Sequence, residues 1–240
     1  MLFFSRQLLA GYGDMRPVVR RGWWALVMVS FWMLGSAASL GWSPQAHSRQ
    51  DGGTILAVGD SLTEGLGVAE DQAYPALLER KLQADGFGYR VINAGVSGET
   101  TSGTLSRIQW TLRLRPDIVI LVAGANDGLR GLDPKLTQAN LEKIVQQLKA
   151  QDVVVVLGGM RMVQNLGAEY TRAFAEIYPA VASSQNVILI SFFLEGVAGE
   201  PQLNQPDGIH PTADGYRRIV EHIYPYVVEA IRVHREKRSD

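Results

Sequence analysis

Apolar residues over most of the chain fall into short, nearly continuous runs that alternate with longer stretches of helical periodicity. The short runs are rich in Val, Ile and Leu and cover residues 54–58, 90–92, 117–122, 153–157 and 186–191. The helical stretches cover residues 74–83, 101–112, 134–150, 169–182 and 212–235. Strands that are apolar throughout are buried on both faces, and strands that alternate with helices form parallel sheets. The pattern predicts an α/β fold, a three-layer α/β/α sandwich around a central, mostly parallel five-stranded sheet.

The helix predicted over residues 134–150 has clear signals both at its start and along one face. Asp133 is a suitable N-cap, and Pro134 takes the first position, where a missing N–H costs nothing. One apolar stripe runs along the helix, made of Leu141, Ile144, Val145 and Leu148. A stripe of this kind is typical of a helix that packs on a core.

The first part of the chain has the layout of a secretory signal. Three basic residues come first, Arg16, Arg20 and Arg21. They precede an apolar run at residues 23–34 and small residues at 35–39, an order typical of an export signal that is cut after Ala38. If the segment is not cut, the uncharged residues 22–42 approach the roughly 20 residues that cross a bilayer. Either outcome predicts export, to the periplasm or elsewhere beyond the cytoplasmic membrane.

The resulting organisation has four parts. Residues 1–42 are predicted to be a signal peptide or N-terminal membrane anchor, 43–53 a polar linker, 54–235 the catalytic domain and 236–240 a polar tail. The basic region that starts at Met1 is long for a signal, so Met15 is a second candidate for the first residue. A buried helix is the alternative for the apolar run, but no amphipathic face separates its residues.

Composition and charge exclude several classes of function. With 240 residues, of which 46% are hydrophobic and 20% charged, the chain has the size of one α/β domain beside its N-terminal segment. The net charge of −1 offers no basic surface for nucleic acid. The absence of cysteine excludes disulfides, thiolate metal sites and a cysteine nucleophile.

A serine, a histidine and an aspartate stand where they can form a catalytic triad. Ser61 directly follows the first predicted strand, within the sequence Gly-Asp-Ser-Leu-Thr-Glu-Gly at residues 59–65. A serine hydroxyl is a weak nucleophile that needs a base, and the base needs a group that holds its tautomer. Asp207 and His210 are three residues apart, so one turn can place carboxylate and imidazole side by side. Ser61 alone would be interpreted as a turn residue, but the three together predict a serine hydrolase.

Two more strand ends offer hydrogen-bond donors for the oxyanion of a tetrahedral intermediate. Gly95 follows the second predicted strand, and its backbone N–H has no side chain beside it. Asn126 follows the third strand and can present its amide NH2. Because ligands bind beyond the carboxyl ends of parallel strands, we expect these loops to converge on one crevice.

Taken together, these motifs resemble the SGNH (GDSL) hydrolases. The resemblance covers residues 54–228 and implies that family's flavodoxin-like fold, with no cofactor. It implies Ser61 as nucleophile and first oxyanion donor, Gly95 and Asn126 as the other donors, His210 as base and Asp207 as its orienting group. Residues 124–129, 173–179 and 207–211 are most similar to the bacterial acyl thioesterase, lysophospholipase and arylesterase branch.

A metal-dependent phosphoesterase is the more serious alternative from the residues alone. The candidate ligands are Asp60, Asn126, Asp127, Asp207 and His210. A catalytic metal needs several histidines or carboxylates around it, and the chain has four histidines. We expect His47, His222 and His234 to be surface or partly packed residues.

The α/β-hydrolase scheme also fits poorly, because Thr63 stands where Gly-x-Ser-x-Gly requires glycine.

The loop after the fourth predicted strand is the candidate substrate site. Met160, Met162 and Leu166 either line an acyl groove or pack the loop onto the sheet. Arg107, Arg113 and Arg130 are expected to be solvated, with an anionic headgroup as the alternative partner.

The sequence thus predicts an exported serine hydrolase of carboxylic esters or thioesters, acting on a small-molecule acyl substrate that includes lysophospholipid as a candidate. A carbohydrate O-deacetylase of the same family is the nearest alternative, and a non-catalytic anchored binding module is a more distant one. We expect no cofactor, no bound metal and no nucleic acid, and contact with a membrane only through the N-terminal segment.

Overall fold

A computed structural model of the chain describes residues 52–162 and 166–239. In this described part, five strands form one sheet: β1 (Thr54–Gly59), β2 (Arg90–Gly95), β3 (Ile118–Val122), β4 (Val154–Gly158) and β5 (Ile188–Ile190). The predicted signal or anchor at residues 1–42 and nearly all of the predicted linker lie outside the described residues. No helix in the described ranges is long and apolar enough to cross a membrane.

The α-helices of the described part lie between the strands and after the last one. They are α1 (Ser61–Glu64), α2 (Tyr74–Ala84), α3 (Thr101–Thr111), α4 (Ala125–Leu129), α5 (Pro134–Lys149), α6 (Ala168–Gln185) and α7 (Ala213–Ser239). The long helices agree with the predicted ranges to within a few residues, except that α7 continues past Arg235 to Ser239. Residues 236–239, which we predicted to be a polar tail, are therefore helical.

The sheet is parallel throughout, in the order β2-β1-β3-β4-β5. Gly59 at the end of β1 is in register with Gly95 of β2 and with Val122 of β3. The three strands therefore end at the same level. The loops that follow them leave from one edge of the sheet, where ligands bind in folds of this kind.

Helices cover the sheet and complete the core. Every residue of β3 and β4 is buried, as expected for strands that helices cover on both faces. Two groups of helices pack among themselves, α5 with both α3 and α6, and α2 with α7. The stripe predicted for α5 is fully buried, and the Asp133 side chain accepts the Lys135 N–H at its start.

His234 is buried more deeply than we predicted. It lies on α7 with only 6% of its surface exposed. Its Nδ1 lies 2.6 Å from the Tyr89 hydroxyl, and its Nε2 lies 3.2 Å from Asp117 Oδ1. Because Tyr89 directly precedes β2 and Asp117 directly precedes β3, this cluster lies at the amino edge of the sheet.

Candidate active site

The turn from β1 into α1 brings Ser61 to the carboxyl edge of the sheet. Asp60 caps the helix, and its Oδ1 accepts the Leu62 N–H at 3.0 Å. A Cβ at Gly59 would lie 2.3 Å from the Thr63 hydroxyl and from the Val122 carbonyl oxygen, so only glycine fits this tight turn. Ser61 is the first residue of α1, and its N–H is one of those that a helix start leaves without an internal partner.

The loop with Asp207 and His210 presents an oriented imidazole to Ser61. Asp207 Oδ1 accepts the backbone N–H groups of Ile209 and His210, at 2.9 and 3.0 Å. Asp207 Oδ2 lies 2.7 Å from His210 Nδ1, and His210 Nε2 lies 2.9 Å from Ser61 Oγ. These hydrogen bonds hold the pKa of the Asp207 carboxyl well below its usual range, and the bond from the backbone N–H of His210 contributes most. An ionised carboxylate only accepts, so Nδ1 carries the proton and Nε2 accepts the Ser61 hydroxyl.

Asn126 lies on α4, and its amide is held by the residue before Ser61. Its Nδ2 donates to Asp60 Oδ2 at 3.2 Å. Asp60 is almost completely buried, and burial raises its pKa from 3.8 to about 6, against the opposing hydrogen bonds from Leu62 and Asn126. Since the NH2 group has two hydrogens, one remains for a ligand in the crevice.

Gly95 does not offer its backbone N–H at the crevice, as the sequence had led us to expect. Its N–H already donates to the Asn93 side chain at 2.9 Å, and it is not among the described residues that line the crevice beside Ser61. A Cβ at this position would lie 2.2 Å from the backbone nitrogen of Glu64. Gly95 therefore lets β2 pack closely against α1 and offers no free donor.

The loop after β2 does place a glycine at the crevice, but it is Gly98, three residues further along the chain. Gly98 lies with Ser61 and Asn126 around the same cavity, and its φ of 75° is in the left-handed region that favours glycine. Within the described part of the chain its N–H has no acceptor. The predicted donor, Gly95, is the last residue of β2, whereas Gly98, in Val-Ser-Gly, stands in the loop that follows.

An open, mostly apolar cavity of about 470 Å³ adjoins Ser61 and His210. Met160 and Met162 both contribute to it, as does Arg161, whose side chain is 58% exposed. Leu166 is exposed and is not among the described residues that line it. The other apolar lining side chains are Leu62, Leu66, Ala125, Leu129, Phe192, Leu194, Ala198 and Ile209.

The sequence also matches a known protein family. The sequence model of the GDSL-like Lipase/Acylhydrolase family matches residues 57–218. The chain belongs to this family. The GDSL chain is 40% identical to "Esterase TesA" of Pseudomonas aeruginosa over 173 residues, which are 72% of this chain and 86% of that protein.

A second relative and a solved structure are also similar to this chain. "Thioesterase 1/protease 1/lysophospholipase L1" of Escherichia coli K12 is 40% identical over 162 residues, 67% of this chain and 76% of that protein. A crystal structure of TesA superposes with a TM-score of 0.72 at 39% identity, covering 74% of this chain and 99% of that chain. The predicted family, hydrolase class and α/β/α fold are confirmed, and the deacetylase, binding-module and phosphoesterase alternatives are not favoured.

Asp127, a candidate metal ligand from the sequence, has a different place in this GDSL domain. It is fully buried, and its two carboxylate oxygens accept the N–H and the hydroxyl of Thr101, at 2.8 and 2.5 Å. Asp127 thus ties α4 to the start of α3. Across residues 52–162 and 166–239, no three side chains of His, Cys, Asp or Glu are grouped as metal ligands would be.

Proposed function

We propose that this chain hydrolyses carboxylic esters and thioesters through an acyl-enzyme on Ser61, with His210 as general base and acid and Asp207 as its orienting group. The observation that carries the proposal is the continuous chain of hydrogen bonds from Ser61 Oγ to His210 Nε2 at 2.9 Å and from Nδ1 to Asp207 Oδ2 at 2.7 Å. Distances of this kind allow proton transfer without rearrangement.

The steps follow from the donors and acceptors present. Ser61 Oγ attacks the acyl carbon while its proton passes to His210 Nε2, and Asp207 stabilises the resulting imidazolium. The imidazolium then gives this proton to the departing alkoxide or thiolate, and the acyl group stays on Ser61. A water molecule, deprotonated by the same Nε2, attacks the acyl carbon. Ser61 leaves with that proton, and the free carboxylic acid is released.

Three groups around Ser61 are proposed to bind the oxyanion. They are the backbone N–H of Ser61, the backbone N–H of Gly98 and the side-chain amide of Asn126. All three residues line the same cavity, and the Asn126 amide is oriented by its hydrogen bond to Asp60. Donors that are fixed before the reaction stabilise developing charge at little cost in reorganisation.

The apolar cavity supports a medium-length acyl chain as the preferred acyl group. Met160 and Met162 supply flexible, polarisable walls, and the lining residue Arg161 is more than half exposed. A lysophospholipid joins one acyl chain to an anionic phosphate and is the finer substrate that we propose. In support, the name of the Escherichia coli relative includes lysophospholipase. The tight pocket of a deacetylase, by contrast, would reject longer chains.

The test is a series of aryl esters with acetyl, butyryl and octanoyl groups. Each methylene buried in the cavity contributes up to ~0.8 kcal/mol, so we expect kcat/KM to rise from acetyl to octanoyl. Met162→Gln should flatten this rise, and Leu136→Gln, a matched change at an exposed leucine outside the cavity lining, should leave it intact. A profile that peaks at acetyl and does not respond to Met162→Gln would favour a deacetylase.

We further propose that the catalytic domain is exported. The proposal is supported by the basic, apolar and small-residue order of residues 16–39. N-terminal sequencing of the protein from fractionated cells would distinguish cleavage near Ala38 from a retained anchor. Recovery of the intact chain from the cytoplasm would contradict export.

A further inference from the structure

Arg107, on α3, lies at the carboxyl ends of β1 and β2 and is largely buried. Its Nη2 donates to the carbonyl oxygen of Ala94 at 2.8 Å and to that of Gly59 at 3.4 Å. Its Nε and Nη2 also donate to the two carboxylate oxygens of Glu99, at 2.6 and 2.7 Å. Only 19% of the Arg107 side chain and 8% of the Glu99 side chain are exposed. The guanidinium is therefore neither the solvated group nor the headgroup ligand that the sequence led us to expect.

These contacts connect two segments of the proposed oxyanion hole. Gly59 stands two residues before Ser61, and Glu99 directly follows Gly98. A guanidinium that binds a carboxylate through two parallel hydrogen bonds fixes its orientation as well as its distance. Arg107 thus ties the Gly98 segment to the end of the strand that leads to Ser61.

The chain around Glu99 accommodates this ion pair. The Thr104 hydroxyl donates to Glu99 Oε2 at 2.9 Å. A Cβ at Gly103 would lie only 2.8 Å from Glu99 Cγ, so a residue without a side chain leaves room for the carboxylate beside α3.

A second carboxylate holds the other side of Gly98. The backbone N–H of Ser97 donates at 3.0 Å to Glu64, which belongs to the same short helix as Ser61. The neighbours of Gly98 on both sides are therefore anchored to the nucleophile's surroundings, while the N–H of Gly98 is left for a ligand.

We propose that Arg107 is a positioning residue that acts through Glu99 to hold the Gly98 N–H in line with Ser61. The inference rests on the proposed function, in which Gly98 is an oxyanion donor. A donor stabilises the transition state only where the charge develops, and a misplacement of about 1 Å can cost roughly 10²-fold in rate. Neither Arg107 nor Glu99 lines the cavity, so the ground-state binding of the acyl chain does not depend on them.

The test compares Arg107→Lys with Gln109→Ala. Lysine keeps the positive charge but lacks the planar fork that binds both carboxylate oxygens. We expect Arg107→Lys to lower kcat by about 10- to 100-fold with KM within about 2-fold of the parent value. Gln109 lies on α3, as Arg107 does, and does not line the cavity. Gln109→Ala removes a hydrogen bond of 2.7 Å to Gln147 and should leave kcat unchanged. Amide hydrogen exchange across residues 96–100 should accelerate in Arg107→Lys and not in the control.

If Arg107→Lys does not fold, Glu99→Gln carries the same test with the same expected loss of kcat. A folded variant of either kind with the kcat of the parent, or a loss confined to KM, would overturn the positioning role. Ser61→Ala, measured in parallel, separates the two proposals. Turnover in Ser61→Ala would refute the proposed function itself, whereas an inactive Ser61→Ala beside a fully active Arg107→Lys would refute only the role of Arg107.

Discussion

The two edges of the sheet each hold a hydroxyl, an imidazole and a carboxylate in a hydrogen-bonded row, yet only one of the two rows has the surroundings of an active site. At the carboxyl edge the row is Ser61, His210 and Asp207. At the amino edge it is Tyr89, His234 and Asp117. The two histidines are oriented in opposite senses. His210 turns Nδ1 to its carboxylate and Nε2 to the hydroxyl, while His234 turns Nε2 to its carboxylate and Nδ1 to the hydroxyl.

The surroundings of the two rows differ more than their members. Ser61 opens onto an apolar cavity, with the N–H of Gly98 close by and without an acceptor in the described residues. Tyr89 is 1% exposed, burial raises the pKa of its phenol, and Asp117 also accepts the Thr54 N–H at 2.7 Å. The amino-edge row therefore joins the starts of β1, β2 and β3 to α7. A triad of groups becomes a candidate catalyst only where free donors and space for a substrate lie beside it.

The largest expected contrast comes from the same substitution at each histidine. His210→Gln should lower kcat by roughly 10⁴- to 10⁶-fold, because Ser61 loses its base, and should leave the free energy of unfolding nearly unchanged. His234→Gln should keep the kcat of the folded protein and lower the free energy of unfolding by about 1–3 kcal/mol, because buried partners lose hydrogen bonds. Ester turnover and urea unfolding of both variants measure this. A large loss of kcat in stable, folded His234→Gln would remove the distinction between the two edges.

A smaller effect on rate is expected within the carboxyl edge itself. Asn126→Ala should lower kcat by about 10²–10³-fold, with a smaller change in KM, because one oxyanion donor is deleted. Asp127→Asn is the control at the next residue. It should mainly lower the free energy of unfolding, because Asp127 accepts hydrogen bonds from Thr101 and does not line the cavity. The comparison uses steady-state kinetics on a soluble aryl ester. If Asn126→Ala raises KM and keeps kcat, Asn126 binds the substrate in its ground state instead.

The smallest effects are on the pH dependence of stability, and the two edges should differ in sign. Burial raises the pKa of Asp60 to about 6. Between about pH 4 and 6 the folded protein therefore keeps a proton on Asp60 that the unfolded chain has released. As a result, Asp60 lowers the free energy of unfolding as the pH rises through this range. Burial lowers the pKa of His234, so as the pH falls the unfolded chain takes up this proton at a higher pH than the folded protein does. His234 therefore lowers the free energy of unfolding as the pH falls below 6.5, the ordinary pKa of histidine.

Urea unfolding of Asp60→Asn, His234→Gln and the parent between pH 4 and 8 tests these signs. The stability of Asp60→Asn relative to the parent should increase from pH 4 to 6, by at most about 1.4 kcal/mol per pH unit, and then level off. The relative stability of His234→Gln should increase in the opposite direction, as the pH falls below 6.5. A flat difference for either variant across its window would contradict the assigned burial effect.

The sequence was most informative where a signal is local. The start of α5 was predicted from Asp133 and Pro134, and the buried strands from their continuous apolar runs. The Asp207–His210 geometry followed from a spacing of three residues, because one loop supplies both groups. Helices α1 and α4 were missed, since four or five residues are too few to establish a period of 3.6.

Interactions between distant residues were the ones that the sequence could not reveal. Tyr89 and His234 are 145 residues apart, and no local pattern links them. In the sequence Gly95 and Gly98 are both candidates for an oxyanion donor after the second strand, and which of them reaches the cavity depends on how β2 packs against α1. The same applies to Arg107, whose partners Ala94 and Gly59 lie on two different strands.

Covalent labelling by an aryl phosphonate tests most directly whether the carboxyl-edge row alone is catalytic. We expect the parent to be inactivated with one phosphonyl group per chain, found by mass spectrometry on the peptide that contains Ser61. Ser61→Ala should take up no label and show no turnover, while Tyr89→Phe should be labelled and inactivated like the parent. Turnover by Ser61→Ala, or a label on Tyr89 that accompanies inactivation, would show that the carboxyl-edge row is not the sole catalyst.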